Sequence, residues 1–138
     1  MRYWVHAAQA RRCPCGDIRP VFQHAGLSEA APHFHAMMAA LNRHAIAKMG
    51  VGHMDCSRVS EHEALVIVMI RDLGRAAKWE GPVSGACGVA RTAALIVGAH
   101  YARLLLVPMA ALAQMLAETN QLPACSIHAS DCTRFPNE

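Results

Sequence analysis

Residues 60–70, Ser-Glu-His-Glu-Ala-Leu-Val-Ile-Val-Met-Ile, constrain the fold more than any other stretch. Ser60 with Glu63 three residues on is a capping box. The hydroxyl accepts a hydrogen bond from the third helical amide, and the carboxylate reaches back to the cap amide. The apolar run at 64–70 would also suit a buried strand, since Val and Ile favour strands. The box ahead of it and Arg-Asp-Leu-Gly-Arg-Ala-Ala-Lys behind it specify a helix over 60–77 instead, central in the fold. Arg71, Arg75 and Lys78 then sit toward its negative C-terminal end, where cations are favoured.

The flanking chain carries the same signals. Residues 1–12 form a short helix closed by Pro14 and Gly16, and Pro20 opens a second that Gly26 ends. Ser28 is an N-cap with Pro32 early enough to be tolerated. On the helix that follows, Phe34, Met37, Met38, Leu41, Ala45 and Met49 share one face as far as Gly50. Residues 79–89 hold four glycines or prolines and read as a loop. From Ala90 a helix presents Ala94, Leu95, Val97, Tyr101 and Leu105 on an apolar face, and Pro108 breaks it. A last helix with Met109, Leu112, Met115 and Leu116 inward ends near Asn120. Hydrophobic residues are 54% of the 138 and aromatics only 5%, which suits close-packed helices better than a strand sandwich. The expectation is one all-α domain over 1–138, a compact bundle of four to five helices. Residues 1–27 supply an N-terminal helix and a Cys-Pro-Cys loop, and 121–138 an irregular tail.

Charge excludes some partners. The net charge is +3, and the basic residues, eleven of the thirteen being Arg, are scattered from Arg2 to Arg134 without a stripe. That argues against nucleic acid. The longest uncharged run, 104–117, is shorter than a membrane span and contains Pro108 and Gln114. The first residues lack the apolar core of a secretory signal. A cytoplasmic protein is expected, without membrane contact, with its six Cys present as thiols or metal ligands.

Cys, His and Met supply 6, 9 and 8 residues, a heavy load of soft ligands. Cys13-Pro14-Cys15 places two thiols within one turn, and Gly52-His53-Met54-Asp55-Cys56 adds a His-x-x-Cys ahead of the capped helix. Together Cys13, Cys15, His53 and Cys56 would make a Cys₃His tetrahedral zinc site, two ligands from each of two loops. Thiols that merely pack loop turns account for the same residues without metal. Arg11, Arg12 and Arg19 would favour thiolate, so a redox pair at Cys13 and Cys15 is a further reading. His33 and His35 are two apart and point about 200° apart on a helix, so they do not share an ion there; they read as solvent-facing or capping. The loop with Cys87 and Arg91 resembles a shortened Cys-phosphatase loop, with three intervening residues where that family has five, and reads better as a connector. Cys125 and Cys132 could pair on oxidation. No catalytic triad follows from the spacing.

Cys56-Ser57-Arg58-Val59-Ser60, followed by Glu63-Ala64-Leu65, resembles a motif in an uncharacterised family of short bacterial helical proteins. In that family a helix ends in a cysteine-rich turn, and Cys-Pro-Arg-x-Thr/Ser leads into a Glu-Ala helix. The resemblance covers about residues 34–72. Ser57 stands where the family has Pro, and this turn carries one cysteine where relatives carry several. The resemblance implies the helix–turn–helix layout and favours a metal, and the family has no assigned function. The expectation is a small metal-binding helical protein, with zinc in a structural or sensing role and a protein partner or second copy. The alternatives are a metal-free interaction or adaptor module, and a thiol redox switch or Cys enzyme.

Overall fold

The computed structural model describes residues 1–78 and 84–123. They form α1 (Arg2–Gln9), α2 (Cys15–His24), α3 (Ala31–His44), α4 (Glu61–Lys78), α5 (Ser84–Val97) and α6 (Ala102–Glu118), with a 3₁₀ turn at Ser28–Ala30 leading into α3. The all-α fold is as the sequence requires, and no strand occurs among the described residues. No helix among them is long and apolar enough to cross a membrane.

The capping box forms as written. The Glu63 amide donates to Ser60 Oγ at 3.2 Å, and the Ser60 amide to Glu63 Oε2 at 2.9 Å. Val66, Met69, Ile70 and Gly74 are the inward residues of α4, which packs along α5 and α6. α6 has one main neighbour more, lying against α3, α4 and α5. Leu105, Met109, Leu112 and Ala113 of α6 meet Phe34, Met37, Met38 and Leu41 of α3 in one core. At Gly74 α4 comes close to the backbone of α6. A Cβ there would lie 2.9 Å from the carbonyl oxygen of Ala113 and would also collide with the Leu122 side chain.

Several boundaries differ from expectation. α2 begins at Cys15, five residues before Pro20, because Pro14 (φ −65°, ψ −17°) already supplies the helix entry; Pro20 lies inside. α3 starts after the 3₁₀ turn, with no side-chain cap, and stops at His44, where Ala45 turns extended (ψ 130°). The Ile46 amide then donates to the Ile96 carbonyl at 2.8 Å. Met49 therefore leaves the helix yet still packs on the core. α5 starts at Ser84 within the expected loop, and its buried stripe is Val89, Ala93 and Val97, four apart, while Leu95 is 80% exposed. The break falls at Gly98, whose φ of +81° costs glycine little, and not at Pro108. Leu105, Met109 and Leu112, all 2% exposed or less, anchor the helix on both sides of that proline, which offsets the ~3 kcal/mol a mid-helix proline costs. The tail expected over 121–138 lies outside the described residues from 124 on. Before that point Gln121 Nε2 donates to the Ala25 carbonyl, and Lys78 Nζ donates to Asn120 Oδ1.

One ion pair ties the N-terminal helix to α4. Arg2 Nε donates to Glu63 Oε1 at 2.8 Å and Nη2 to Oε2 at 3.0 Å. The same guanidinium donates to the carbonyls of His53, Cys56 and Arg58. It lies so close over Gly52 that a Cβ there would be 2.6 Å from Nη2. Glu63 is 5% exposed. Burial alone pushes its carboxyl upward, but the Arg2 hydrogen bonds, the Ser60 amide and the Arg2 charge outweigh this and hold it at about 2.

Because the folded carboxyl titrates lower than the ordinary 4.5, its contribution is full above that value and is lost as pH falls toward about 2. Acid denaturation should therefore be steep in that window, and Arg2→Ala should flatten it. The same variant leaves Glu63 buried without its cation and should lower urea-unfolding stability by about 3 kcal/mol. Gly74→Ala should lower stability by about 1 kcal/mol or more, because the clash with the Ala113 carbonyl exceeds the gain in helix propensity. Circular dichroism checks them, followed through an acid titration for the first and through urea unfolding for the two variants.

Candidate functional site

The Cys-Pro-Cys segment is positioned by an unusual helix end. α1 closes in a Schellman motif, with the Arg12 amide donating to the Ala7 carbonyl at 2.9 Å and the Arg11 amide to Ala8 at 3.0 Å. Arg11 takes the left-handed position (φ +55°) that glycine normally fills. The chain reverses there. Pro14 follows as N-cap of α2, and its carbonyl accepts the Asp17 and Ile18 amides. Cys15 is thus the first residue of a helix, with Cys13 just outside it. With helix-like geometry across Pro14, Cα atoms two residues apart are about 5.4 Å apart. That lies within the ~4.4–6.8 Å that disulfides span.

The two thiols are free and influence each other's titration. Hydrogen bonding from Cys15, its backbone first and then its side chain, holds the Cys13 thiol below its ordinary value. The side-chain bond, followed by burial and the Cys13 charge, pushes the Cys15 thiol up against a smaller opposing effect of Arg19. Of the arginines expected to favour thiolate, Arg12 is paired with Asp17, at 3.0 and 3.3 Å. The helix entry itself, more than the arginines, supplies what favours the Cys13 anion. Cys13 is exposed and Cys15 half-buried.

His35 completes the site. Its Nδ1 accepts the Trp4 indole N–H at 3.0 Å and lies 3.8 Å from Cys15 Sγ. An indole N–H only donates, so Nδ1 carries the lone pair and the ring proton is on Nε2. Trp4 on α1, Cys15 on α2 and His35 on α3 therefore converge. Sequence reasoning placed His35 among solvent-facing or capping residues. The contact spans 31 residues to Trp4 and 20 to Cys15, and no local spacing carries that information.

The other proposed ligands lie elsewhere. The 53–58 segment is gathered at Arg2, where α1 begins, whereas Cys13 and Cys15 follow its far end. An eight-residue helix spans about 12 Å, against a Zn–S bond of about 2.3 Å. His53 Nδ1 instead faces Asp55 Oδ2 at 3.5 Å on the surface. Cys56 is half-buried, and Arg2 takes its carbonyl. Among the described residues no three or more His, Cys, Asp or Glu side chains come close enough to share one ion, so Cys13, Cys15, His53 and Cys56 are not brought together. Glu63 is committed to the cap and Arg2, and His62 Nδ1 accepts the Gly50 amide. Cys87 is exposed on α5, on the same helix as Arg91, so from Ser84 on the expected connector is helix and not a Cys-phosphatase-like loop, and residues 79–83 of it lie outside the described residues. Cys125 and Cys132 lie outside the described residues. No family model, curated protein or solved structure matches this chain.

Proposed function

We propose that the protein is a helical thiol–disulfide switch of the reducing cytoplasm, acting through Cys13 and Cys15. The observation that carries this reading is the placement of two free thiols one proline apart at the entry of α2, Cys13 exposed and Cys15 half-buried 3.8 Å from His35 Nδ1; the Cys13 thiol held low and the Cys15 thiol held high agree with it. An exposed thiol with extra thiolate character is the attacking group, and a neighbouring protonated thiol is the resolving one.

With a small disulfide as oxidant, the Cys13 thiolate attacks one of its sulfurs. The S–S bond breaks, one thiolate leaves, and a mixed disulfide forms. Cys15 passes its proton to the departing thiolate by way of solvent. Its sulfur then attacks Cys13 Sγ and releases the second thiol. The sum is one disulfide reduced to two thiols and the Cys13–Cys15 pair oxidised by two electrons. A ring closed across a single proline is constrained, and exposed or strained disulfides have more oxidising potentials than structural ones. The pair is therefore expected to be reduced in the resting cytoplasm and to respond to a rise in disulfide.

Equilibration with reduced and oxidised glutathione, read by mass spectrometry, should give an intramolecular disulfide in the wild type. Cys15→Ser should accumulate a glutathione mixed disulfide on Cys13, and Cys13→Ser should form neither. In iodoacetamide kinetics near pH 7, Cys13 should react several-fold faster than Cys87, which is also exposed, and Cys15→Ala should narrow that gap. Equal rates, or no Cys13–Cys15 disulfide at any glutathione ratio, would sink the redox reading. Stoichiometric zinc on the purified protein, lost in Cys15→Ser, would replace it with the metal reading.

A further inference from the structure

We infer that a groove between α1, the C-terminal half of α3 and the 45–51 segment binds a small apolar acid, with its hydrocarbon on Trp4, Met38, Leu41 and Met49 and its carboxylate at Lys48. The groove has a volume of about 420 Å³, within the ~300–1,000 Å³ of small-molecule sites. Its floor is made of residues almost fully withdrawn from solvent: Trp4 is 5%, Met38 3% and Leu41 5% exposed. Protein interiors are otherwise close-packed, so an apolar hollow of this size is a place where ligand atoms can supply the missing contacts. Methionines at 38 and 49 give it walls that adapt to an irregular hydrocarbon.

The polar lining selects the charge. Among the lining residues Lys48 has the only charged side chain, and no Asp or Glu faces the groove. No carboxylate pairs with Lys48 among the described residues. Asn42 adds an amide donor at the solvent-facing edge. An apolar body rimmed by the Lys48 ammonium and the Met1 α-ammonium, with the amides of Gln9 and Asn42 and no carboxylate, suits a monoacid. The outer wall has no helix of its own but is tied at both ends. The Ile46 amide donates to the Ile96 carbonyl, the Gly50 amide donates to His62 Nδ1, and Ser60 Oγ donates to the Gly50 carbonyl. The site is therefore formed before any ligand arrives.

Decanoate, used below its micelle concentration, is the probe. In a Trp79→Phe background Trp4 is the only tryptophan, and its emission reports occupancy directly. Decanoate should give a saturable change in Trp4 emission and raise the melting temperature. Lys48→Glu, a surface change that should leave helix content intact, should weaken decanoate at least tenfold while changing the affinity for decanol less than twofold. Ala8→Phe, at a half-buried lining position, should fill part of the groove and weaken both. An absent or non-saturable response, or a Lys48→Glu variant that binds decanoate like its parent, overturns the proposal. Equal weakening of decanol and decanoate by that variant overturns the assignment of the carboxylate to Lys48.

Discussion

The Arg2–Glu63 pair is the interaction on which the N-terminal half depends. The 45–60 stretch has no helix, so its backbone groups need partners from outside. Arg2 supplies three of them, taking the carbonyls of His53, Cys56 and Arg58 with the same guanidinium that it presents to Glu63. Glu63 is in turn held by the capping box. A buried charge pair adds little net stability by itself. Here it fixes geometry, locking the start of α1 to the start of α4 across 61 residues. With α1 held there, Trp4 faces both the groove and His35, and the chain leaving α1 at Arg11 delivers the two thiols to the same region.

Behind that clamp the bundle is organised by α6 and the small residues beside it. Gly74 lets α4 approach the α6 backbone at Ala113, and the α3 methionines fill the other side. Pro108 shows how packing overrides local preference. Its local cost is real, but buried residues on both sides hold the helix continuous across it. Gly98 offers the cheaper break and takes it.

Legibility followed the range of the interaction. The Ser60–Glu63 box acts over three residues and was readable in full. The Gly26 stop of α2 was also readable, because the left-handed position at that helix end suits glycine. The end of α1 was not: Arg11 occupies the same kind of position and carries no glycine signal. Val89 and Ser84 looked like loop because glycines surround them, yet a stripe four residues apart gave the segment a face to bury. In the candidate site, Cys13 and Cys15 were visible as a pair from their spacing. Their unequal thiols were not, because the inequality arises from the helix entry at Pro14. His35 was invisible, since its partners come from two other helices. The grouping with His53 and Cys56 rested on two motifs of suitable type, and spacing within each motif says nothing about the distance between them.

The sequence by itself determined the helical class, the capped start of α4 and the presence of two thiols one proline apart, because capping, propensity and periodicity act between near neighbours. Tertiary structure decided which end of α1 each loop would occupy. It also decided that His35 and Trp4 would reach Cys15 and that a groove would open beside Lys48. Those outcomes depend on how helix faces pack and on a charge pair spanning most of the N-terminal half, and long-range packing is written in no single stretch of chain.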